Sequence, residues 1–182
     1  IEGVECLIHR MEAADTCDLR RPQIYLRAAL SEFVSMEEAA KLDFARLKLA
    51  QPPTLESLLD PRLHVVRLLR NANVHLSTTQ LTTGRKPAIW DGPRGPQEFQ
   101  CRLFLANDLE ASVRATKGAA RYSAPDLTAM INWLSAEQGD WGIQNVVLRA
   151  AEEYARVLST MIPKGGGTAD PEMGECPNAL DA

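Results

Sequence analysis

A chain of 182 residues that is 45% hydrophobic and 24% charged has the composition of one ordinary globular domain with a core of its own. Aromatic residues make up only 5% while Ala and Leu are plentiful, which tilts the expectation to an all-α fold. No uncharged apolar run approaches the roughly 20 residues of a membrane span, so a membrane partner is not expected. Cys6, Cys17, Cys101 and Cys176 make no C-x-x-C pair, which argues against structural zinc and a disulfide framework and reads as cytosolic thiols, hence a cytoplasmic protein. The start lacks Met and a basic-then-apolar leader and reads as trimmed.

The formal charge of −4 is unevenly spread. Residues 61–121 carry ten Lys and Arg against four Asp and Glu, and the rest of the chain carries ten against twenty. A basic middle between acidic ends suits an anionic ligand, although an unevenly charged solvated surface gives the same count.

In chain order, residues 2–14 predict a first helix with Val4, Leu7, Ile8 and Met11 on one face. Pro22 fits the first turn of a second helix carrying Ile24, Leu26, Ala28, Leu30, Phe33 and Val34. Ser35 followed three residues later by Glu38 has the spacing of a capping box, which predicts a third helix that ends before Gln51-Pro52-Pro53. A short helical turn is expected over 55–59. Asp60-Pro61 is a helix start, with the helix running to about Thr79 and stopping at Thr82-Thr83-Gly84.

Residues 85–102 change character. They hold Gly and Pro in DGPRGP together with Arg85, Lys86, Trp90 and Arg94, and predict an inserted basic loop or small hairpin whose flanks, 88–90 and 99–105, can pair. A helix is expected from about Leu103 to Thr116, with Arg114, Lys117 and Arg121 adding charge around its end and Gly118 as its stop. Ser123-Ala124-Pro125-Asp126 opens another helix. Gly139-Asp140-Trp141-Gly142 predicts a tight break before a last helix over 143–161. Residues 164–182 are Gly-rich and acidic and predict a disordered tail beyond a helical domain spanning 1–163.

Chemistry is concentrated on the helix after Asp60. At 100° per residue Val65, Leu69, Ala72 and Leu76 form an apolar stripe widened by Leu68. His64, Arg67, Asn71, His75 and Thr78 form a second row at spacings of three and four. Arg70 lies about 140° round the helix from His75, so the two meet only along the surface or across a dimer axis. Each residue has a structural reading beside the chemical one: a half-buried core histidine for His75, a helix bridge for Asn71, a surface ion pair for Arg70. A metal-binding bundle is disfavoured because the Glu and Glu-x-x-His pairs of such bundles are missing.

The run RNANVH, Arg70 to His75, resembles the signature of the HEPN domains (higher eukaryotes and prokaryotes nucleotide-binding), an Arg followed by a polar residue and then a His on a long helix. GDWGIQN, opening the last helix, is similar to the closing helix of many such domains. The resemblance implies an up-and-down bundle of about four long helices and a homodimer with the two motifs facing each other. It also implies a metal-independent endoribonuclease without cofactor, acting on RNA in a toxin–antitoxin, defence or processing role, with an antitoxin protein as a further partner. Carried over, Arg70 stabilises charge on the scissile phosphate, His75 moves a proton at the ribose 2′-hydroxyl or the leaving oxygen, and Asn71 orients one of them. Imidazole titrates near neutrality and guanidinium matches phosphate with a planar fork, as this chemistry needs. Arg67, His64, Thr78, Arg85, Lys86 and Arg94 are expected to hold the RNA backbone, and Trp90 to stack a base. The alternative is an inactive dimeric module of the same shape that binds RNA, a nucleotide or a protein. The insertion at 85–102 departs from the compact members of the family.

Overall fold

The computed structural model describes residues 1–14, 19–58, 60–76, 81–93 and 95–163, and omits the side chains of 73–76, 90–92 and 99. The described residues form five α-helices: α1 (Glu2–Ala13), α2 (Arg20–Arg46), α3 (Pro61–Leu76), α4 (Leu109–Arg114) and α5 (Ala124–Met161). A 3-10 helix covers Lys117–Arg121, and strands β1 (Leu81–Gly92) and β2 (Gly95–Ala106) pair antiparallel. The protein is thus mainly α-helical with one small hairpin. Among the described residues no helix is long and apolar enough to cross a membrane.

One core runs through all the helices. Val4, Ile8 and Met11 of α1 meet Leu26, Leu30 and Phe33 of α2, and Leu134, Val147 and Tyr154 of α5 close over α3. Burying each such large side chain contributes about 1.5–3 kcal/mol. The centre is α3, which packs against α2, α4, α5 and the 3-10 helix. Its start is capped as the Asp60-Pro61 pair predicts: Asp60 Oδ1 accepts the Arg62 N–H at 2.9 Å. Ser123 does the same for α5, accepting the Asp126 N–H at 3.2 Å.

The second and third expected helices are one. In a capping box the Ser35 oxygen accepts from the backbone at Glu38; here the Ser35 hydroxyl donates to Ser31 O at 3.0 Å, inside an unbroken helix. The buried series Leu26, Ala29, Leu30, Phe33, Glu37, Ala40, Phe44 passes through the expected break without losing its period. Helix α2 ends at Arg46 and not at the prolines. Lys48 takes φ 56°, and the bonds Lys48 N–H to Ala45 O and Leu49 N–H to Phe44 O close a Schellman turn.

The hairpin is longer than expected and displaces the helix expected from Leu103. Its strands run twelve residues each, from Leu81 opposite Ala106 to Gly92 opposite Gly95, so Thr82, Thr83 and Gly84 continue as strand. At about 3.3 Å per residue the arm is about 40 Å long. Only its root is in the core, through Leu81, Leu103, Phe104 and Ala106, while Ile89 is 73% exposed. A two-stranded ribbon is marginal alone, and α5 supplies what it lacks. Gln138 accepts the Ala106 N–H at 2.9 Å and donates to Ala106 O at 3.2 Å. Buried Gln144 accepts the Phe104 N–H at 3.2 Å and donates to Arg102 O at 3.1 Å. The two amides act as a substitute third strand on the outer edge of β2.

The two glutamines flank the expected break, which is confined to Gly142 at φ 75°, ψ 153°. That conformation belongs to glycine, and an added Cβ would run into the Gln144 side-chain oxygen. The Lys86–Asp140 ion pair and the hydrogen bonds of Arg102 to Glu12 O and Ala14 O, at 3.1 and 3.0 Å, tie the arm to α5 and to the C-terminal end of α1. The Asp108 N-cap, at φ 51°, starts α4 after the strand, and the expected stop at Gly118 lies inside the 3-10 helix. The tail at 164–182 lies outside the described residues.

Two substitutions test these turns by chemical denaturation. Gly142→Ala should cost at least about 2 kcal/mol, because strain and the collision with Gln144 add. Lys48→Gly should stabilise by about 0.5–1 kcal/mol, because it relieves a left-handed residue at a helix end.

Candidate functional site

The polar row expected on α3 borders a pocket of about 230 Å³. Residues Val65, Leu69 and Ala72 are buried as the stripe requires, together with Leu63, Val66 and Leu68. His64, Arg67 and Asn71, at spacings of three and four, are left along the opposite border. The facing wall is the 3-10 helix, with Lys117, Gly118 and Arg121, followed by Tyr122. Glu56, on the turn before α3, closes one side.

Arg70 and Asn71 meet within one chain, Arg70 Nη1 donating to Asn71 Oδ1 at 3.3 Å. Arg70 Nε is buried and has no hydrogen-bond partner among the described residues. An unsatisfied buried donor costs about 1–3 kcal/mol, and more on a charged group. Position 75 falls four residues after Asn71, in the last turn of α3. The side chains of His75, Trp90 and Arg94, and residue Thr78, lie outside the described set.

His64 is held on both ring nitrogens. A carbonyl only accepts, so Nε2 carries the proton donated to Leu58 O. Nδ1 then accepts the Tyr122 hydroxyl at 2.9 Å. Burial, with the Glu56 charge beside it, raises the Tyr122 phenol above its ordinary value and keeps the hydroxyl proton in place for that bond. His64 joins the start of α3 to the end of the 3-10 helix and has no free nitrogen for RNA.

Arg67 and Arg121 both reach Glu56. Arg67 Nη1 lies 2.9 Å from Glu56 Oε1, and Arg121 forms an ion pair with the same oxygen. Among the described residues Lys117 has no ion pair. Exposed pairs of this kind contribute about 0–1 kcal/mol, so this bridge is weak enough to be exchanged for a ligand. Glu56 is set by its neighbour: Leu55 is fully buried, and its N–H donates to Glu37 Oε2 at 3.0 Å. Burial alone would raise the Glu37 carboxyl. Hydrogen bonds from Lys41 and the Leu55 N–H, with the Lys41 and Arg67 charges, outweigh it and hold the group below its ordinary value.

Of the cations expected on the hairpin, Arg85 is exposed on β1 opposite Arg102, and Lys86 forms an exposed ion pair with Asp140. The Arg149 guanidinium lies 4.2 Å from the ring centre of Trp141.

Compared with protein-family models, with curated proteins and with solved structures, the chain matches none. The site therefore rests on its own geometry and on the motif. Glu56, Lys117, Arg121 and Tyr122 belong to it and were not singled out as site residues from sequence. Lys117 and Arg121 carry a signal, two cations one helical turn apart in the basic middle of the chain. Glu56 carries none.

The cap that starts this helix gives a pH test. Burial pushes the Asp60 carboxyl up, but the Arg62 side chain and N–H pull it below its ordinary value. A carboxyl depressed on folding stabilises fully above its unfolded value, about 3.9, and the contribution is lost as pH falls through the lower folded value. Asp60→Ala should therefore cost about 1 kcal/mol at neutral pH. In urea unfolding that deficit should shrink once the pH falls below the ordinary carboxylate value.

Proposed function

We propose that the chain is a HEPN-type endoribonuclease whose centre is Arg70, Asn71 and His75, working without metal or cofactor. The observation that carries this reading is the Arg70 guanidinium, bonded to Asn71 with its Nε buried and unmatched among the described residues, on the helix whose last turn carries His75. The mainly helical fold with α3 at its centre is the setting the resemblance implies, and the cation-lined pocket beside Asn71 suits an anionic polymer.

The ribose 2′-oxygen attacks the adjacent phosphorus. The bond from phosphorus to O2′ forms, the bond to the leaving O5′ breaks, and the products are a 2′,3′-cyclic phosphate and a free 5′-hydroxyl. His75 takes the 2′-hydroxyl proton or supplies the proton to O5′. Arg70 donates to the phosphate oxygens as charge builds there. Asn71, held by Arg70, keeps the guanidinium in one orientation. The requirement for a 2′-hydroxyl restricts the reaction to RNA.

Long helices α2, α3 and α5, the last kinked at Gly142, are compatible with the bundle the resemblance implies. In a homodimer that brings the C-terminal turns of α3 together, Arg70 of one subunit works beside His75 of the other, which resolves the angle of about 140° between them. An antitoxin and a cytoplasmic, defence-related setting follow from the same reading.

The test is cleavage of mixed RNA in EDTA. Wild type should cut and leave cyclic phosphate ends. His75→Ala should lose about 10²–10⁴-fold in rate and Arg70→Ala about 10²–10³-fold, with folding intact by circular dichroism. Full activity in both variants removes the site; no cleavage by wild type shifts the reading to a binding module.

A further inference from the structure

The pocket between α3 and the 3-10 helix holds three cations and one carboxylate. Arg67 comes from α3, Lys117 and Arg121 from the 3-10 helix, and Glu56 from the turn that precedes α3. Two guanidinium groups converge on one oxygen of Glu56. That is how a pair of arginines holds a phosphate oxygen. Lys117 stands on the same wall with no ion pair among the described residues, so the pocket carries more positive charge than its one carboxylate balances.

We propose that this pocket seats a backbone phosphate of single-stranded RNA, and that Glu56 occupies the seat as an internal competitor until RNA displaces it. The substrate class rests on the ribonuclease reading; the pocket geometry does not. Its volume of about 230 Å³ lies below the roughly 300–1,000 Å³ of sites that enclose drug-sized ligands, and suits a phosphate with part of its sugar. Asn71 forms part of the wall and is bonded to Arg70. A phosphate seated here is therefore a neighbour of the one presented to Arg70, and the pocket sets the register of the strand. Glu56 is held at the rim because Leu55 is anchored by burial and by Glu37, while its own side chain is 40% exposed and, among the described residues, bound through exchangeable ion pairs. An RNA phosphate takes over Arg67 and Arg121, adds Lys117, and releases Glu56 to water.

The test measures binding apart from cleavage. The full chain is titrated into a short fluorescein-labelled 2′-O-methyl oligoribonucleotide, which lacks the attacking hydroxyl, and anisotropy is followed across a salt series. Glu56→Gln keeps the shape and removes the competing charge, and should tighten binding about threefold. Arg121→Ala and Lys117→Ala, both at exposed positions, should each weaken it about fivefold. Each should also flatten the slope of log affinity against log salt by about 0.7. Wild-type affinity and slope in both cation variants, or weaker binding by Glu56→Gln, overturns the proposal. The expected pattern without cleavage of unmodified RNA retains the phosphate seat and removes the nuclease; cleavage without the pattern does the reverse.

Discussion

The rest of the structure depends on the enclosure of α3. A helix packed by α2, α4, α5 and a 3-10 helix must be apolar round most of its circumference, as Leu63, Val65, Val66, Leu68, Leu69 and Ala72 show. Of the polar groups left on it, Arg62 pairs with Asp60 and Glu153, while His64 joins two elements and Arg67 meets Glu56 along one border. Arg70 bonds Asn71, and its Nε has no partner among the described residues. Burial of the apolar surface stabilises the fold by far more than these polar contacts do.

The hairpin obeys a different constraint. A two-stranded arm has two open edges and little core, and Gln138 and Gln144 close the outer edge of β2 at its root. The Gly142 kink lies between them, so the break in α5 is a joint that serves the arm. Two cations of the arm act in attachment: Lys86 to Asp140, Arg102 to the end of α1. The anion-facing cations of the described site come instead from α3 and the 3-10 helix.

Local signals with a steric mechanism were legible in the sequence. Asp60-Pro61, Ser123 with Asp126, the α3 stripe and the last helix after Gly142 all stand where their residues imply. Signals that need a partner to decide between outcomes were not. Ser35 and Glu38 have capping-box spacing, but whether the hydroxyl accepts from the chain ahead or donates to the chain behind depends on the buried face of α2 against its neighbours. Leu103 to Ala106 reads as helix or strand until Gln138 and Gln144 supply an edge to pair with. The site splits in the same way. Arg70, Asn71 and Arg67 are visible through spacing on one helix. Glu56, Lys117 and Arg121 reach the same pocket by long-range packing that no local pattern encodes.

The proposed centre is completed by Arg70 of one subunit and His75 of the other, two such centres to a dimer. Mixing two variants tests it most directly: Arg70→Ala and His75→Ala, each inactive alone, are unfolded together, refolded, and assayed on RNA in EDTA. Random pairing should restore cleavage to on the order of a quarter of the wild-type rate, because mixed dimers carry one intact Arg and one intact His across the axis. A mixture that forms dimers, stays folded and remains as inactive as its components would contradict the account.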